Sequence, residues 1–472
     1  MAFTVPSSKP MVLAALLLAA YVSVGTPRVV LEHVELIDGT GAPAVPDRNV
    51  TIEAGKIVAI TAGADEPPAA GTTVLDLRGH AVFPGIVGMH DHLFAIVRPN
   101  LAPDNSADRP GLFLPMTYSA PRLYLANGVT TIRTAGGIEP YADLRLKQAI
   151  DAGALPGPHI DVTGPYLEGA DDNLNLQMHQ LSDPDDARQT VAYWADRGVT
   201  SFKAYKHITH DELRAAIDEA HKRGLKVTGH LCSVTYREAA ELGIDNLEHG
   251  FFVNTELDAD KKPGTCTASG GDETLARLTP GEANALIRTL IEHHVAITST
   301  LPSTAVGAGA APLRPAVLQA MSPSLRDAYL YGRNRATEAS AQRAAMLLRK
   351  DMELERAFVA ADGLLLAGPD PVGVGGILPG FGDQREIELL VDAGFTSVEA
   401  IRIATLNGAT FLGRQNAIGS IAVGKNADLV VVKGDPAARI ADIENVAIVF
   451  KDGVGYDSGK LLDSVKGRYG EY

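Results

Sequence analysis

Hydrophobic and polar positions change their spacing twice along the chain, which divides it into three parts. From about Arg28 to Gly79, runs such as VVLEHVELIDGTG and NVTIEAGKIVAI are apolar or alternating and are separated by Gly, Pro and Asp turns. This pattern is typical of short β-strands. The last part, with GSIAVGKNADLVVVKGD and NVAIVFKDG, has the same character. We therefore expect both termini to contribute to one small β-sandwich.

Between these parts, short apolar runs alternate with helical patterns, which indicates βαβ units and a parallel sheet. Repetition of such units predicts the α/β class and a closed (β/α)8 TIM barrel. We expect the barrel over residues 82–412 and the β-sandwich over 28–81 and 413–472. The predicted barrel strands end near His90, Arg133, Gly164, Lys203, His230, His249, Thr300 and Ala367.

Helix starts and long insertions can also be predicted. The spacing of a capping box, Thr followed by Glu three residues later, marks the start of a helix. It occurs at Thr209, Thr279 and Thr396. Residues from about 256 to 273 are predicted to form a long loop after strand six, and those from about 324 to 361 a helical segment between strands seven and eight. Long loops at this barrel face usually cover a site or contact a partner.

The N-terminus contains one unbroken apolar run, from Met11 to Val24, between Lys9 and Gly25. The run is shorter than the roughly 20 residues of a membrane-spanning helix. It fits the apolar core of a secretory signal peptide over residues 1–25. We therefore expect a periplasmic or secreted protein that has no membrane contact after leader removal. An apolar extension of a cytoplasmic enzyme is the alternative.

Composition narrows the class of function. The 472 residues, 46% hydrophobic and 21% charged, are typical of a soluble globular protein. A formal net charge of -15 argues against nucleic acid as a partner, because phosphate binding requires clustered Lys and Arg. Two cysteines, Cys232 and Cys266, are too few for a disulfide framework or a thiolate zinc cluster. An oxidising compartment would allow one bridge, but we expect Cys232, beside a predicted strand, to be a small core residue.

Residue types that bind metals collect at the predicted strand ends. His90 and His92 are two residues apart on strand one, so both imidazoles point to the same side. Neutral imidazole is a common metal ligand. Enzymes with this barrel build their sites from residues at the C-terminal ends of the strands. The other candidates at such ends are Lys203, His230, His249 and Asp370.

Each candidate also has an ordinary structural interpretation. Lys203 could be a solvated lysine, although it follows an apolar run in which an unpaired ammonium would be costly. A carbamate formed from Lys203 and CO2 would instead bridge two cations. His230 could be a hydrogen-bonded core histidine, and Asp370 a turn residue between two prolines. Strand alternation does not decide whether Glu248 or His249 points inward. Together these interpretations require six separate coincidences, so we favour a metal site.

The chain resembles the amidohydrolase superfamily, in particular its imidazolonepropionase-like branch with the metal-dependent Xaa-Pro dipeptidases. The motifs that carry the resemblance are LIDGTG, GKIVAI, FPGIVGMHDH, GVTTIRTAGG, SFKAY, LEHG, AGPD, TLNGATFLG and GSIAVGKNADLVVVKGDP. The resemblance implies a binuclear site of divalent cations, with Zn2+ expected and Mn2+ or Co2+ as alternatives. By position, the first cation would be held by His90, His92 and Asp370, the second by His230 and His249, and both by a carbamate on Lys203.

The implied reaction is hydrolysis of an amide-type C–N bond in a dipeptide, an N-acyl amino acid or an aryl amide. A metal-activated hydroxide would attack, and Asp370 would move the proton. As an alternative, the same site could hydrolyse a lactone, carbamate or phosphotriester. A non-catalytic scaffold that keeps only the fold is a remote alternative, and such a protein would be expected to lack several of these ligands. Tyr205 and His207 could bind a small-molecule substrate or be solvated loop residues, and Tyr236 is a weaker candidate. A homo-oligomer is compatible with the resemblance.

Overall fold

A computed structural model describes residues 28–63, 69–97, 112–170, 177–306, 313–334 and 337–471. The predicted signal peptide, residues 1–25, lies outside these ranges. Within them, no helix combines the length and the apolar character that crossing a membrane requires.

The strands of the described residues are β1 Arg28–Leu36, β2 Val45–Glu53, β3 Lys56–Ala62, β4 Thr72–Asp76, β5 His80–Pro84, β6 Ile86–Asp91, β7 Phe94–Val97, β8 Leu112–Pro115, β9 Val129–Thr134, β10 His159–Asp161, β11 Thr163–Glu168, β12 His179–Gln180, β13 Ser201–Ala204, β14 Lys226–Gly229, β15 Asn246–Glu248, β16 Ala296–Ser299, β17 Leu365–Ala367, β18 Leu429–Lys433, β19 Val446–Lys451 and β20 Val454–Asp457. The α-helices are α1 Ser119–Ala126, α2 Pro140–Asp151, α3 Pro184–Ala195, α4 His210–Lys222, α5 Tyr236–Leu242, α6 Asp272–Arg277, α7 Pro280–Glu292, α8 Leu301–Ala305, α9 Pro315–Ala320, α10 Pro323–Asn334, α11 Glu338–Ala360, α12 Phe381–Asp392, α13 Ser397–Arg402, α14 Gly408–Phe411 and α15 Ser458–Ser464.

Strands from both ends of the chain share one mixed sheet, in the order β20-β19-β18-β5-β1-β2-β3, with β4 parallel to β1. The antiparallel pair of β18 and β5 joins the C-terminal part to the N-terminal part. Side chains alternate along β18, so Val430 and Val432 pack into the main core while Leu429 and Val431 pack into a second apolar cluster. Both faces of β18 are therefore covered. The two-layer sandwich and the domain boundaries stay predictions.

The middle of the chain is the predicted α/β barrel. One ladder of parallel strands runs β11-β13-β14-β15-β16-β17, and a second runs β10-β9-β6. The third barrel strand consists of two short pieces, β10 and β11. Backbone hydrogen bonds connect the two ladders on both sides: Gly137 N–H donates to the Gly164 carbonyl, and Asp370 N–H donates to the His90 carbonyl at 3.1 Å. The carboxyl ends of the strands consequently surround one central opening.

All three predicted capping boxes are present, at Thr209, Thr279 and Thr396. In each, the threonine hydroxyl accepts a hydrogen bond from the backbone N–H of the glutamate three residues later. These bonds satisfy N–H groups that have no partner inside the helix, which is why the spacing predicts a helix start. The segment predicted between strands seven and eight forms two helices, α10 and α11.

The loop after strand six is tied to the end of strand five. Cys232, just after β14, is bonded to Cys266 of the loop. The expectation of an unpaired core cysteine is therefore wrong, although Cys232 is buried, because the loop folds back over the neighbouring strand end. Asp258 organises the same loop by accepting hydrogen bonds from Thr267, Ser269, Gly271 and Thr274.

Loss of this bridge should destabilise the protein. The two cysteines are 34 positions apart. Closing a loop of that length restricts the unfolded chain and contributes about 4 kcal/mol. The double variant Cys232→Ser/Cys266→Ser should therefore lose up to this amount of unfolding free energy, measured by denaturant titration and circular dichroism. Reductant should destabilise the unmodified protein and leave the double variant unchanged. Equal midpoints for both proteins would contradict a stabilising bridge.

Candidate metal centre

Two histidines and an aspartate meet where β6 and β17 end. His92 Nε2 lies 3.0 Å from Asp370 Oδ1, and His90 Nε2 lies 3.7 Å from the same atom. Both histidine side chains are buried, whereas the Asp370 side chain is 24% exposed. The three predicted ligands of strands one and eight are therefore together, with the carboxylate on the open side of the group.

Two further histidines extend this group across the barrel opening. The ring of His249 lies 4.5 Å from the ring of His90 and 4.4 Å from that of His230. One potential ligand atom from each of His90, His249 and Asp370 lies within 4.8 Å of the other two. The four histidines thus form one continuous row, from His92 at one end to His230 at the other.

Glu248 is a buried carboxylate at the base of this row. His90 Nδ1 lies 2.8 Å, Arg133 Nη2 2.9 Å and Lys203 Nζ 3.6 Å from its oxygens. Burial alone would raise the pKa of Glu248, but the positive charge of Arg133, followed by those of Lys203 and His90, holds it well below its usual range. Because Nδ1 of His90 is occupied by Glu248, its Nε2 is directed toward Asp370. Glu248 therefore orients a predicted ligand and neutralises a buried arginine.

His249 and Asp370 share a left-handed backbone, with φ of +65° and +57°. For residues other than glycine this region costs of order 1 kcal/mol or more and is found mostly where the surroundings enforce it. At His249 it interrupts the strand alternation, so Glu248 and His249 are both turned inward. Strand alternation in the sequence did not decide which of Glu248 and His249 points inward, and in the structure both do. The His249 ring is fixed by a 3.0 Å hydrogen bond between Nδ1 and Thr300 Oγ1.

The protonation states of these groups suit cation binding. Burial, with a nearby ammonium, lowers the pKa of His90 to about 4. Burial and neighbouring imidazoles lower the pKa values of His230 and His249 well below the usual range. For Asp370, burial would raise the pKa, but a hydrogen bond and charges from its histidine neighbours lower it strongly. Neutral imidazoles and an ionised carboxylate are the forms that bind a divalent cation.

Lys203 lies inside the barrel, where its side chain is 1% exposed. The interpretation as a solvated surface lysine therefore does not apply. Burial, opposed by the charge of Glu248, lowers the pKa of Lys203 to about 8. At this pKa the neutral amine, which is a nucleophile, is a larger fraction than for an ordinary lysine, although the ammonium still predominates at neutral pH.

Two of the predicted substrate contacts, Tyr205 and His207, follow β13. The Tyr205 ring lies 5.0 Å from the His230 ring. The side chain of His207 is 32% exposed, and its backbone N–H donates to the buried carboxylate of Glu168. This bond helps to fix the loop that carries both residues, and of the two Tyr205 lies next to a candidate ligand.

The third predicted contact, Tyr236, has a different environment. Its side chain is completely buried, and its hydroxyl lies 3.2 Å from the Glu248 carbonyl and 2.9 Å from the Gly250 carbonyl. The hydroxyl thus faces the turn around His249 from inside the protein. We do not retain Tyr236 among the proposed substrate contacts.

A second group of potential ligands, His159, Asp428 and Asp452, lies where β10 meets the terminal sheet. Here Asp452 is already paired, since Lys451 Nζ and His159 Nε2 each lie 3.0 Å from its carboxylate. These cations and the exposed position of Asp452 favour an ion-paired contact between the barrel and the sheet over a metal site.

Comparison with known proteins finds solved structures of the same fold. A Xaa-Pro dipeptidase with methionine bound in its active site has a TM-score of 0.66 and 22% identity, covering 91% of this chain and 100% of that one. The A. niger ochratoxinase has a TM-score of 0.66 and 16% identity, covering 94% and 100%. A bottromycin amidohydrolase has a TM-score of 0.66 and 22% identity, covering 92% and 88%. At these identities the likeness shows a shared fold.

Among curated proteins, none matches the sequence significantly. The sequence profile of the amidohydrolase family matches residues 81–455, from β5 into β20. The matched range includes every predicted metal ligand and the whole barrel. The chain therefore belongs to the amidohydrolase family and is a hydrolase acting on carbon–nitrogen bonds.

Proposed function

We propose that this protein is a binuclear metal-dependent amidohydrolase. The observation that carries the proposal is the meeting of four histidines, a buried lysine and an aspartate at one barrel opening. These groups fit divalent cations. His90, His249 and Asp370 offer atoms within 4.8 Å of one another, and the buried His92 Nδ1 has no hydrogen-bond partner among the described residues. Imidazole nitrogens with carboxylate oxygens suit Zn2+, and Mn2+ or Co2+ accept the same donors.

The ligands can be assigned to two cations. The first would be held by His90, His92 and Asp370, and the second by His230 and His249. Lys203 would hold both as a carbamate formed with CO2. Its burial supports this, because desolvation lowers the pKa of Lys203 to about 8 and so increases the fraction of neutral amine, which adds to CO2 and releases one proton.

When bound, the cations would lower the pKa of a water molecule and polarise the scissile carbonyl. Side chains of the protein then accept and donate the proton. Asp370 is ionised and is the most exposed of the three ligands at its cation, so it accepts the proton of the attacking water and delivers it to the leaving nitrogen. Glu248 keeps His90 in the tautomer that leaves Nε2 available.

We propose a dipeptide, an N-acyl amino acid or an aryl amide as the substrate class. Tyr205 and His207 are the side chains offered to a substrate carboxylate at the edge of the site. An apolar cluster packs against Tyr205 and is formed by Phe94, Phe113, Tyr166, Met178 and Val372. The Phe94 ring lies 4.6 Å from that of His92, which favours an apolar or aromatic group next to the scissile bond. The names of the structural neighbours, a dipeptidase and an amidohydrolase among them, support amide hydrolysis.

We also propose that the protein acts in the periplasm or outside the cell. The Cys232–Cys266 bridge supports this location, since disulfides persist in oxidising compartments and are rare in the cytosol.

The function is tested with a panel of dipeptides, N-acyl amino acids, aryl amides, lactones, carbamates and phosphotriesters. We expect amide hydrolysis that requires Zn2+, Mn2+ or Co2+ and that disappears after chelation and returns on metal addition. Activity confined to lactones, carbamates or phosphotriesters would favour that alternative. Amide hydrolysis that survives complete metal removal would contradict the proposal.

Replacing Lys203 with alanine should reduce the cation content. Without the carbamate, neither cation has its bridging ligand, so we expect clearly fewer than the roughly two equivalents of the unmodified protein. Inductively coupled plasma mass spectrometry of the purified proteins measures the content. Lys222→Ala, on the exposed side of α4, is the matched control and should bind as many cations as the unmodified protein. Normal loading of the Lys203 variant would exclude a bridging lysine.

A further inference from the structure

Three fully buried tyrosines hydrogen-bond to the backbone beside the proposed ligands. Tyr124, Tyr236 and Tyr469 are each 0% exposed. Tyr124 is in α1, Tyr236 begins α5, and Tyr469 follows α15 near the C-terminal end. We propose that their hydroxyls are positioning groups of the metal centre, each fixing the peptide groups around a ligand.

Tyr124 acts on His92. Its hydroxyl accepts a hydrogen bond from His92 N–H at 3.0 Å and donates to the His92 carbonyl at 2.9 Å. β6 ends at Asp91, and the last paired residues of β6 and β9 are Asp91 and Thr134. His92 therefore lies just past the strand ladder. The Tyr124 hydroxyl hydrogen-bonds to both its N–H and its carbonyl, as a neighbouring strand would do within the sheet.

Tyr236 acts on His249 from the opposite side of the barrel. Its hydroxyl lies 3.2 Å from the Glu248 carbonyl and 2.9 Å from the Gly250 carbonyl, the two residues that flank His249. The left-handed backbone at His249 persists only if its surroundings hold it. The hydroxyl contacts both neighbouring carbonyls and so stabilises this turn.

Tyr469 connects two ligand-bearing loops. Its hydroxyl lies 2.9 Å from the Pro371 carbonyl, next to Asp370, and 3.3 Å from the Phe94 carbonyl, two residues after His92. The tyrosine is itself anchored, because its backbone N–H donates to Ala320 and its carbonyl accepts from Ser322. The ends of strands one and eight are thereby linked through a residue distant from both in sequence.

The three contacts share one chemical consequence. None of these hydrogen bonds involves a ligand side chain; each joins the hydroxyl to the backbone of a ligand or of a residue close to one. Removing a hydroxyl should therefore loosen the ligand geometry without removing a ligand. A neutral hydrogen bond contributes enough to change a binding constant about fivefold. The inference rests on the proposed function, since it concerns how the proposed ligands are held.

The test replaces each tyrosine with phenylalanine in the full chain loaded with Co2+. We expect each variant to raise the Kd for Co2+ roughly 5- to 10-fold, measured by competition with a chelator. We also expect a changed Co2+ absorption spectrum, because the ligand geometry changes. Tyr118→Phe is the matched control, since this hydroxyl also donates to a backbone carbonyl, that of Ser464 at 3.3 Å. It should change neither the Kd nor the spectrum.

The outcomes separate the two hypotheses. If the unmodified protein binds no Co2+, both the proposed function and this inference fail. If it binds Co2+ and the three variants match Tyr118→Phe in Kd and spectrum, the inference alone fails, even when their thermal stability is lower. Each tyrosine contacts a different part of the centre, so a variant that does not fold leaves the other two to decide.

Discussion

Replacing Asp370 with asparagine should lower kcat by about 10²- to 10⁴-fold. Asparagine has nearly the same volume and keeps one oxygen that can contact a cation, but its amide cannot accept and return a proton. We therefore expect the cation content to stay close to that of the unmodified protein. Steady-state kinetics on the best amide substrate and mass spectrometry of bound metal measure the two quantities.

The matched control for this variant is Asp362→Asn. Asp362 also has a left-handed backbone, with φ of +67°, and it lies in the turn between α11 and β17. This variant should keep the unmodified kcat. An Asp370→Asn protein with the same kcat as the Asp362 variant would exclude Asp370 as the proton acceptor.

Replacing Glu248 with alanine should lower the free energy of unfolding by about 3–5 kcal/mol, which is typical when one partner of a buried ion pair is removed. Arg133 would then remain 1% exposed without the carboxylate that neutralises it. His90 would also lose the partner of its Nδ1. Denaturant unfolding of the metal-free protein measures the effect separately from any effect on cation binding.

Two variants make this second prediction specific. Glu241→Ala, on the exposed side of α5, should change the unfolding free energy by less than about 0.5 kcal/mol. Combining Glu248→Ala with Arg133→Met should recover part of the loss, because the buried charge is removed together with its partner. Similar unfolding free energies for the Glu248 and Glu241 variants would show that the buried charge of Arg133 does not require neutralisation by Glu248.

Much of the fold follows from local sequence patterns. The alternation of apolar runs with helical segments predicts the barrel, and seven of the eight predicted strand ends lie within one residue of the observed ones. The third strand differs, because β11 continues to Glu168 and not to the predicted Gly164. Capping boxes at Thr209, Thr279 and Thr396 are found because their hydrogen bonds join residues only three apart. The His-x-His motif is informative for the same reason, since two positions on one strand determine which way both imidazoles point.

The remaining features depend on contacts between distant residues or on a local break in regular structure. The sequence allowed a bridge between Cys232 and Cys266 but did not establish it, because pairing depends on where the loop after strand six folds. Glu248 and His249 could not be told apart, because period-two alternation fails where the backbone becomes left-handed. The glycine after His249 in LEHG was a signal of an irregular turn there. Tyr469 had no such signal, since its hydrogen-bond partner Phe94 is 375 positions away.

The backbone at His249 and Asp370 determines which mutagenesis strategy will give a clear answer. Asparagine is among the residues that adopt the left-handed region most readily, so it changes the ligand chemistry with little effect on the main chain. Alanine would add a conformational cost to the loss of the ligand, and a β-branched residue would add more. An alanine scan would therefore exaggerate the importance of these two positions relative to His90 and His92. Asparagine substitutions would compare the contributions of the ligands with less interference from backbone strain.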